Sequence, residues 1–170
     1  MHFLKRLVRH AFAGKAVLRR TLPPEALLRL QQVIAEGDVL HRARIRLIVE
    51  TAMPLRKLRR GMSTRQRAID LFGSWRVWDT EENNGVLLYL CLAERKLELV
   101  CDRAAVRAIT DDEWQVICNT MLDAFRAGRY EPGLTEGLRA MHRELAEYFP
   151  ATAEAIAAGV DAADDAPLTL

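Results

Sequence analysis

The run Val86-Leu87-Leu88-Tyr89-Leu90-Cys91-Leu92 places seven residues in a row without a charge. A strand wetted on one side would alternate apolar with polar, so this run reads as a central strand buried on both faces. The polar turn Asp79-Thr80-Glu81-Glu82-Asn83-Asn84-Gly85 precedes it, built from residues that bond their own backbone or tolerate positive φ. After it, Glu94-Arg95 turns the chain into Lys96 to Asp102, where Leu97, Leu99 and Cys101 alternate, which predicts a β-hairpin. Upstream, Ala43 to Glu50 predicts another strand: Ile45, Leu47 and Val49 alternate with Arg44, Arg46 and Ile48, one face entering the core and the other partly polar. Between the two strands, Ser63 followed by Gln66 is a capping box for a helix running to about Trp75. Strand, helix, strand in one sheet implies a parallel crossover, so the expected class is α/β with a small mixed sheet.

The flanks are helical. Phe3, Leu4, Leu7, Val8, Ala11 and Phe12 share one face of a first helix, with His2, Lys5, Arg6, Arg9 and His10 around the rest. That pattern suits a helix packed on the domain or one lying on an anionic membrane surface. Gly14-Lys15 interrupts the apolar run too early for a signal peptide, and no stretch of apolar residues is long enough for a membrane-spanning helix. Pro24 fits the first turn of a helix over Glu25 to Glu36, and Thr110 with Glu113 caps one running to about Ala127. A last helix runs from about Pro132 to Phe149, expected to be irregular at its start because of Gly133 and Gly137. The organisation expected is a basic amphipathic helix over 1–20, a domain over 21–149 and a mobile Ala/Asp-rich tail over 150–170.

The net charge of +2 hides a division along the chain. Residues 1–78 hold 17 Lys/Arg against 5 Asp/Glu, and residues 79–170 hold 8 against 18, so the halves carry +12 and −10. The topology turns this into poles in space. Asp79 to Asn84 lead into the central strand and Asp102 follows its antiparallel partner, so they meet at one end with the helix start at Asp111, while the basic loop Arg56, Lys57, Arg59 and Arg60 begins at the other. The basic loop lacks the interleaved aromatic residues that stack bases, so nucleic-acid binding is not expected.

Familiar catalytic signatures are absent: HExxH, GxSxG, the P-loop and GxGxxG do not occur. His2, His10, His41 and His142 show no metal-ligand spacing, and Cys91, Cys101 and Cys118 form no CxxC pair and fit free thiols of a reducing compartment. The acidic pole is the candidate site. Asp79, Glu82, Asn83, Asn84, Asp102 and Asp111 offer the hard oxygen ligands that Ca²⁺ or Mg²⁺ prefers. The alternative is ordinary: Asp111 begins a helix whose dipole favours carboxylates, and Arg103 or Arg107 can neutralise the rest from within.

The segment Asn83-Asn84-Gly85-Val86-Leu87-Leu88-Tyr89-Leu90 resembles the (D/N)NGVLLLV core of the TPM domain family. The resemblance continues in Leu71-Phe72 with Trp75, in Lys96 to Cys101, in Thr110-Asp111, and in Ala124-Phe125-Arg126-Ala127-Gly128-Arg129-Tyr130 with Gly133-Leu134 and Gly137-Leu138, which is similar to the family's AFRAGDYxxGLxxG segment. It implies a three-layer α/β/α sandwich. It also implies an accessory module: family members are membrane-associated or exported, one kind carries a claimed acid phosphatase activity, and some bacterial ones bind Ca²⁺ at the acidic edge. Two departures stand out. The family's GYGLE stretch is here Asp102-Arg103-Ala104-Ala105-Val106, and the Asp of its GDY is Arg129. The chain thus reads as a short bacterial, cytoplasmic variant of the domain without signal peptide or membrane helix. The function expected is that of a non-catalytic binding module, peripheral to a membrane protein or anionic lipid surface and responsive to a divalent ion, with a metal-assisted acid phosphatase as the alternative.

Overall fold

The computed structural model describes residues 2–152 and 167–170. Its elements run α1 (His2–Phe12), α2 (Lys15–Thr21), α3 (Pro24–Asp38), β1 (Ile45–Glu50), α4 (Leu55–Arg59), α5 (Thr64–Ser74), β2 (Val86–Cys91), β3 (Lys96–Cys101), α6 (Arg103–Ala108), α7 (Asp111–Arg126), α8 (Tyr130–Tyr148) and β4 (Leu168–Thr169). The sheet order is β3-β2-β1-β4. β2 pairs parallel with β1, Ile45 opposite Val86, and antiparallel with β3, Val86 opposite Cys101. The crossover and the hairpin are those the strand pattern requires.

The apolar strands divide the core into two halves. Ile45, Leu47, Val49, Val86, Leu88 and Leu90 face a cluster completed by α3, α7 and α8. Ile48, Leu87, Tyr89 and Cys91 face a second cluster with Leu58 of α4 and Ala68 and Leu71 of α5. Helices therefore cover the sheet on both faces, giving the α/β/α sandwich.

The face of β1 expected to be partly polar is not wet. All six residues of the strand are buried, Glu50 at 1% exposure, because α5 lies over that face. Burial of a carboxylate requires partners. Arg67 Nη2 of α5 donates to Glu50 Oε1 at 2.6 Å, and the Tyr89 hydroxyl donates to Glu50 Oε2 at 2.6 Å. Burial above all, then Cys91 and the charge of Glu50, pushes the Tyr89 phenol well above its ordinary range.

The capping boxes at Ser63/Gln66 and Thr110/Glu113 are both formed. The last helix is continuous through Gly133 and Gly137, contrary to the irregular start expected from those glycines. Their role is close packing: a Cβ at Gly137 would lie 2.3 Å from the Met121 sulfur, and one at Gly133 would lie 2.7 Å from Ala124 Cβ, so α7 and α8 approach along these two positions. The basic segment expected as a loop contains α4, with the Lys57 ammonium paired to Asp70. Within the expected tail, Leu168 and Thr169 add a strand parallel to β1, and Leu170 N–H donates to the Val49 carbonyl at 2.9 Å. Residues 153–166 of that tail lie outside the described residues.

Candidate functional site

The acidic pole forms where the pairing places it. Asp102 N–H donates to the Gly85 carbonyl at 2.8 Å and Ala104 N–H to the Asn83 carbonyl at 2.9 Å, which joins the turn before β2 to the start of α6. Asn83 sits at φ 53°, a conformation Asn tolerates better than most side chains. Gly85 is required sterically, since a Cβ there would lie 1.9 Å from the Val77 carbonyl oxygen.

Each candidate ligand then has its own place. Asp102 is the N-cap of α6, its Oδ1 accepting from Arg103 N–H at 2.7 Å. Asn84 is fully buried and donates from Nδ2 to the Arg42 carbonyl at 3.2 Å. Arg103 Nη2 donates to Asn83 Oδ1 at 2.7 Å, Arg42 pairs with Glu82 at 3.2 Å, and Arg76 pairs with Asp79 at 2.9 Å. Asp111 is exposed in the first turn of α7, where its charge complements the helix dipole. Glu82, Asn83, Arg103, Ala104 and Arg107 line a small polar cleft of about 240 Å³. The structure thus gathers Glu82, Asn83 and Asp102 around Arg103, with Asp79 apart from them on Arg76 and Asp111 exposed in the first turn of α7.

The opposite end of the sheet carries α1. Arg6 Nε donates to Glu94 Oε1 at 2.7 Å, and Arg6 Nη2 donates to the Met62 carbonyl at 2.6 Å. Met53 N–H donates to His10 Nδ1 at 3.0 Å, so the ring carries its hydrogen on Nε2 and donates it to Glu94 Oε1 at 3.1 Å. Burial alone would raise the Glu94 carboxyl, but Arg6 and His10 outweigh it and hold the group below the usual carboxylate range. Leu7 and Ala13 pack on the α5-side core. The other side of the helix is open: Phe3, Leu4, Val8 and Phe12 are exposed, Phe12 at 81%, beside exposed Lys5 and Arg9. The single apolar face read from the sequence is therefore divided between the domain and solvent.

The histidines show what local spacing cannot. Among the described residues, the group of three His, Cys, Asp or Glu whose ligand atoms lie within 4.8 Å of one another is Asp38, His41 and His142, all buried. His41 Nε2 lies 2.8 Å from His142 Nδ1, and His142 Nδ1 lies 3.9 Å from Asp38 Oδ1. Burial lowers His41 to about 4 and His142 to about 3, so both rings are neutral at physiological pH. The separation of 101 residues between the two rings hides the cluster from any motif search.

A family model for the TPM domain matches residues 19–144. The chain belongs to the TPM domain family. Among solved structures, the TPM domain here is similar to the NMR structure of the BA42 protein from the psychrophilic bacterium Bizionia argentinensis, at 21% identity and a TM-score of 0.74, covering 86% of this chain and 93% of that one. At this identity the likeness establishes the shared fold. No curated protein matches the chain. Among the described residues, no helix of this TPM domain is long and apolar enough to cross a membrane.

Proposed function

We propose that this TPM-domain protein is a non-catalytic accessory module that rests on an anionic membrane surface through α1, at the cytoplasmic face. The observation that carries the reading is the division of α1: Arg6, Leu7 and His10 hold one side to the domain while Leu4, Val8 and Phe12 face outward with Lys5 and Arg9 beside them. Apolar side chains flanked by lysine and arginine favour the interface of a membrane with anionic headgroups. Lys5, Arg9 and Lys15, all exposed, together contribute about 3 kcal/mol near such a surface. Arg6 is spent on Glu94 and adds nothing there. The free thiols of Cys91, Cys101 and Cys118 agree with a reducing compartment. Co-sedimentation with phosphatidylglycerol vesicles tests the reading. The intact protein should pellet with them and not with phosphatidylcholine vesicles, and the variant Leu4→Ser/Val8→Ser/Phe12→Ser should stay in solution. Equal pelleting of both proteins would overturn it.

A phosphatase remains the second reading, favoured by one observation: Arg103 and Arg107 share a cleft with Glu82 and Asn83. Paired guanidinium groups suit a phosphoryl oxygen, and a divalent ion held at Asp102 would polarise it. Hydrolysis of an aryl phosphate by the pure protein, lost in Asp102→Asn, supports this reading, and activity unchanged by that substitution contradicts it.

A further inference from the structure

Asp38 ends α3, His41 lies in the segment before β1, and His142 lies on α8. The three residues are 5%, 3% and 2% exposed. His41 Nδ1 lies 3.0 Å from the Ala43 carbonyl, which only accepts, so Nδ1 carries the hydrogen. His41 Nε2 is then a lone pair directed at His142. This is the arrangement of a metal-ligating histidine, whose distal N–H is held by a backbone carbonyl so that the other nitrogen is aimed and more basic.

The space for His142 is made by Gly37. A Cβ at that position would lie 2.2 Å from the imidazole ring, so the ring occupies the volume a side chain would need. In this structure His142 Nδ1–H fills the His41 lone pair, and His142 Nε2 is buried without a hydrogen-bond partner.

We propose that Asp38, His41 and His142 form a Zn²⁺ site, held by the Asp38 carboxylate, His41 Nε2 and His142 Nδ1, that ties the end of α3 to α8. Two imidazoles and one carboxylate are a donor set suited to zinc, whose bonds of about 2.0–2.2 Å demand ligand atoms within roughly 3.3 Å of each other in a tetrahedral site. The His41 and His142 nitrogens are slightly closer than that, and Asp38 Oδ1 at 3.9 Å reaches the distance by a small side-chain rotation. Metal entry requires that the hydrogen on His142 Nδ1 move to Nε2, a change of tautomer in which no proton is lost from the ring, and that the two rings, which meet nearly head-on with centroids 5.0 Å apart, turn so that both lone pairs converge on the ion. Three protein ligands leave a fourth position for water. The depth of the cluster argues for a clamp rather than a catalytic centre. The same segment is already bridged to the end of α8, His41 opposite Pro150 and Arg42 N–H donating to the Phe149 carbonyl at 2.9 Å, so the metal would lock a junction that backbone bonds only outline.

The test uses the full chain, prepared free of metal and titrated with Zn²⁺ alone, with Co²⁺ as the spectroscopic probe. One equivalent is expected to bind and to raise the melting temperature. The imidazole ¹⁵N spectrum of the wild-type protein should show His142 Nδ1 changing from a protonated to a metal-bound nitrogen, and the Co²⁺ protein should show a tetrahedral spectrum without a thiolate charge-transfer band. His142→Gln, Asp38→Asn and Gly37→Ala should each weaken Zn²⁺ at least tenfold, and Asp123→Asn on the exposed face of α7 should not. An unchanged imidazole spectrum at a tenfold excess of Zn²⁺, or a thiolate band placing the metal on cysteine, overturns the site. The wild-type spectrum decides the question even if a variant at these buried positions fails to fold.

Discussion

Glu94 Oε1 accepts a hydrogen bond from Arg6 Nε at 2.7 Å across 88 residues of sequence. This contact fixes which side of α1 faces the domain, and so which side faces outward. Arg6→Ala leaves a carboxylate 8% exposed with His10 as its remaining partner, at a cost of about 1–3 kcal/mol to the docking of α1. Hydrogen exchange checks it: amides of residues 3–12 should exchange roughly ten- to hundredfold faster in the variant, with the strands unchanged.

The same carboxylate makes the docking of α1 sensitive to acid. Glu94 titrates below its unfolded value because Arg6 and His10 outweigh the effect of burial. A carboxylate with a depressed folded pKa contributes its full stability above the unfolded value, about 4.3, and loses it as pH falls through the lower folded value. The Arg6 and His10 resonances should therefore move toward those of a released helix below about pH 4. In Glu94→Gln that acid transition should be absent.

Glu50 lies at the end of β1 with two partners, Arg67 and Tyr89. Arg67→Met would strand a carboxylate 1% exposed, which costs about 3–5 kcal/mol. Tyr89→Phe removes one neutral donor and leaves the guanidinium in place, so about 1–2 kcal/mol is expected. Urea unfolding should rank the two substitutions in that order.

Gly137 meets Met121 closely enough that a methyl group cannot be added without movement. Gly137→Ala should cost about 1–3 kcal/mol by overpacking. Shortening Met121 to alanine in the same protein should recover part of that loss, a coupling that a double-mutant cycle measures.

Local pattern carried the frame of the fold. The uncharged run Val86–Cys91, the alternation in Lys96–Cys101 and the two capping boxes each encode their element within a few residues, and each is formed. What escaped was non-local. Arg46 read as part of a partly polar face and is buried, and Glu50 gave no sign of its pairing with Arg67, which the placement of α5 supplies. Leu168–Thr169 is too short to stand out as a strand and gains its hydrogen bonds from β1. The approach of the turn before β2 to Asp102 was legible because hairpin pairing dictates which ends meet, and Arg103 follows there, hydrogen-bonded to Asn83. His41 and His142 carry no mutual signal, since an α-helix and a pre-strand segment meet there only in the folded chain.

The orientation of α1 on lipid is read most directly by paramagnetic relaxation in the intact protein, bound to phosphatidylglycerol-containing bicelles doped with a doxyl lipid. Strong broadening is expected at Leu4, Val8 and Phe12, with Leu7 and His10 protected and Val116 of α7, as exposed as Leu4, unaffected. Broadening centred on α7, or none at α1, would contradict the docking of α1 on lipid.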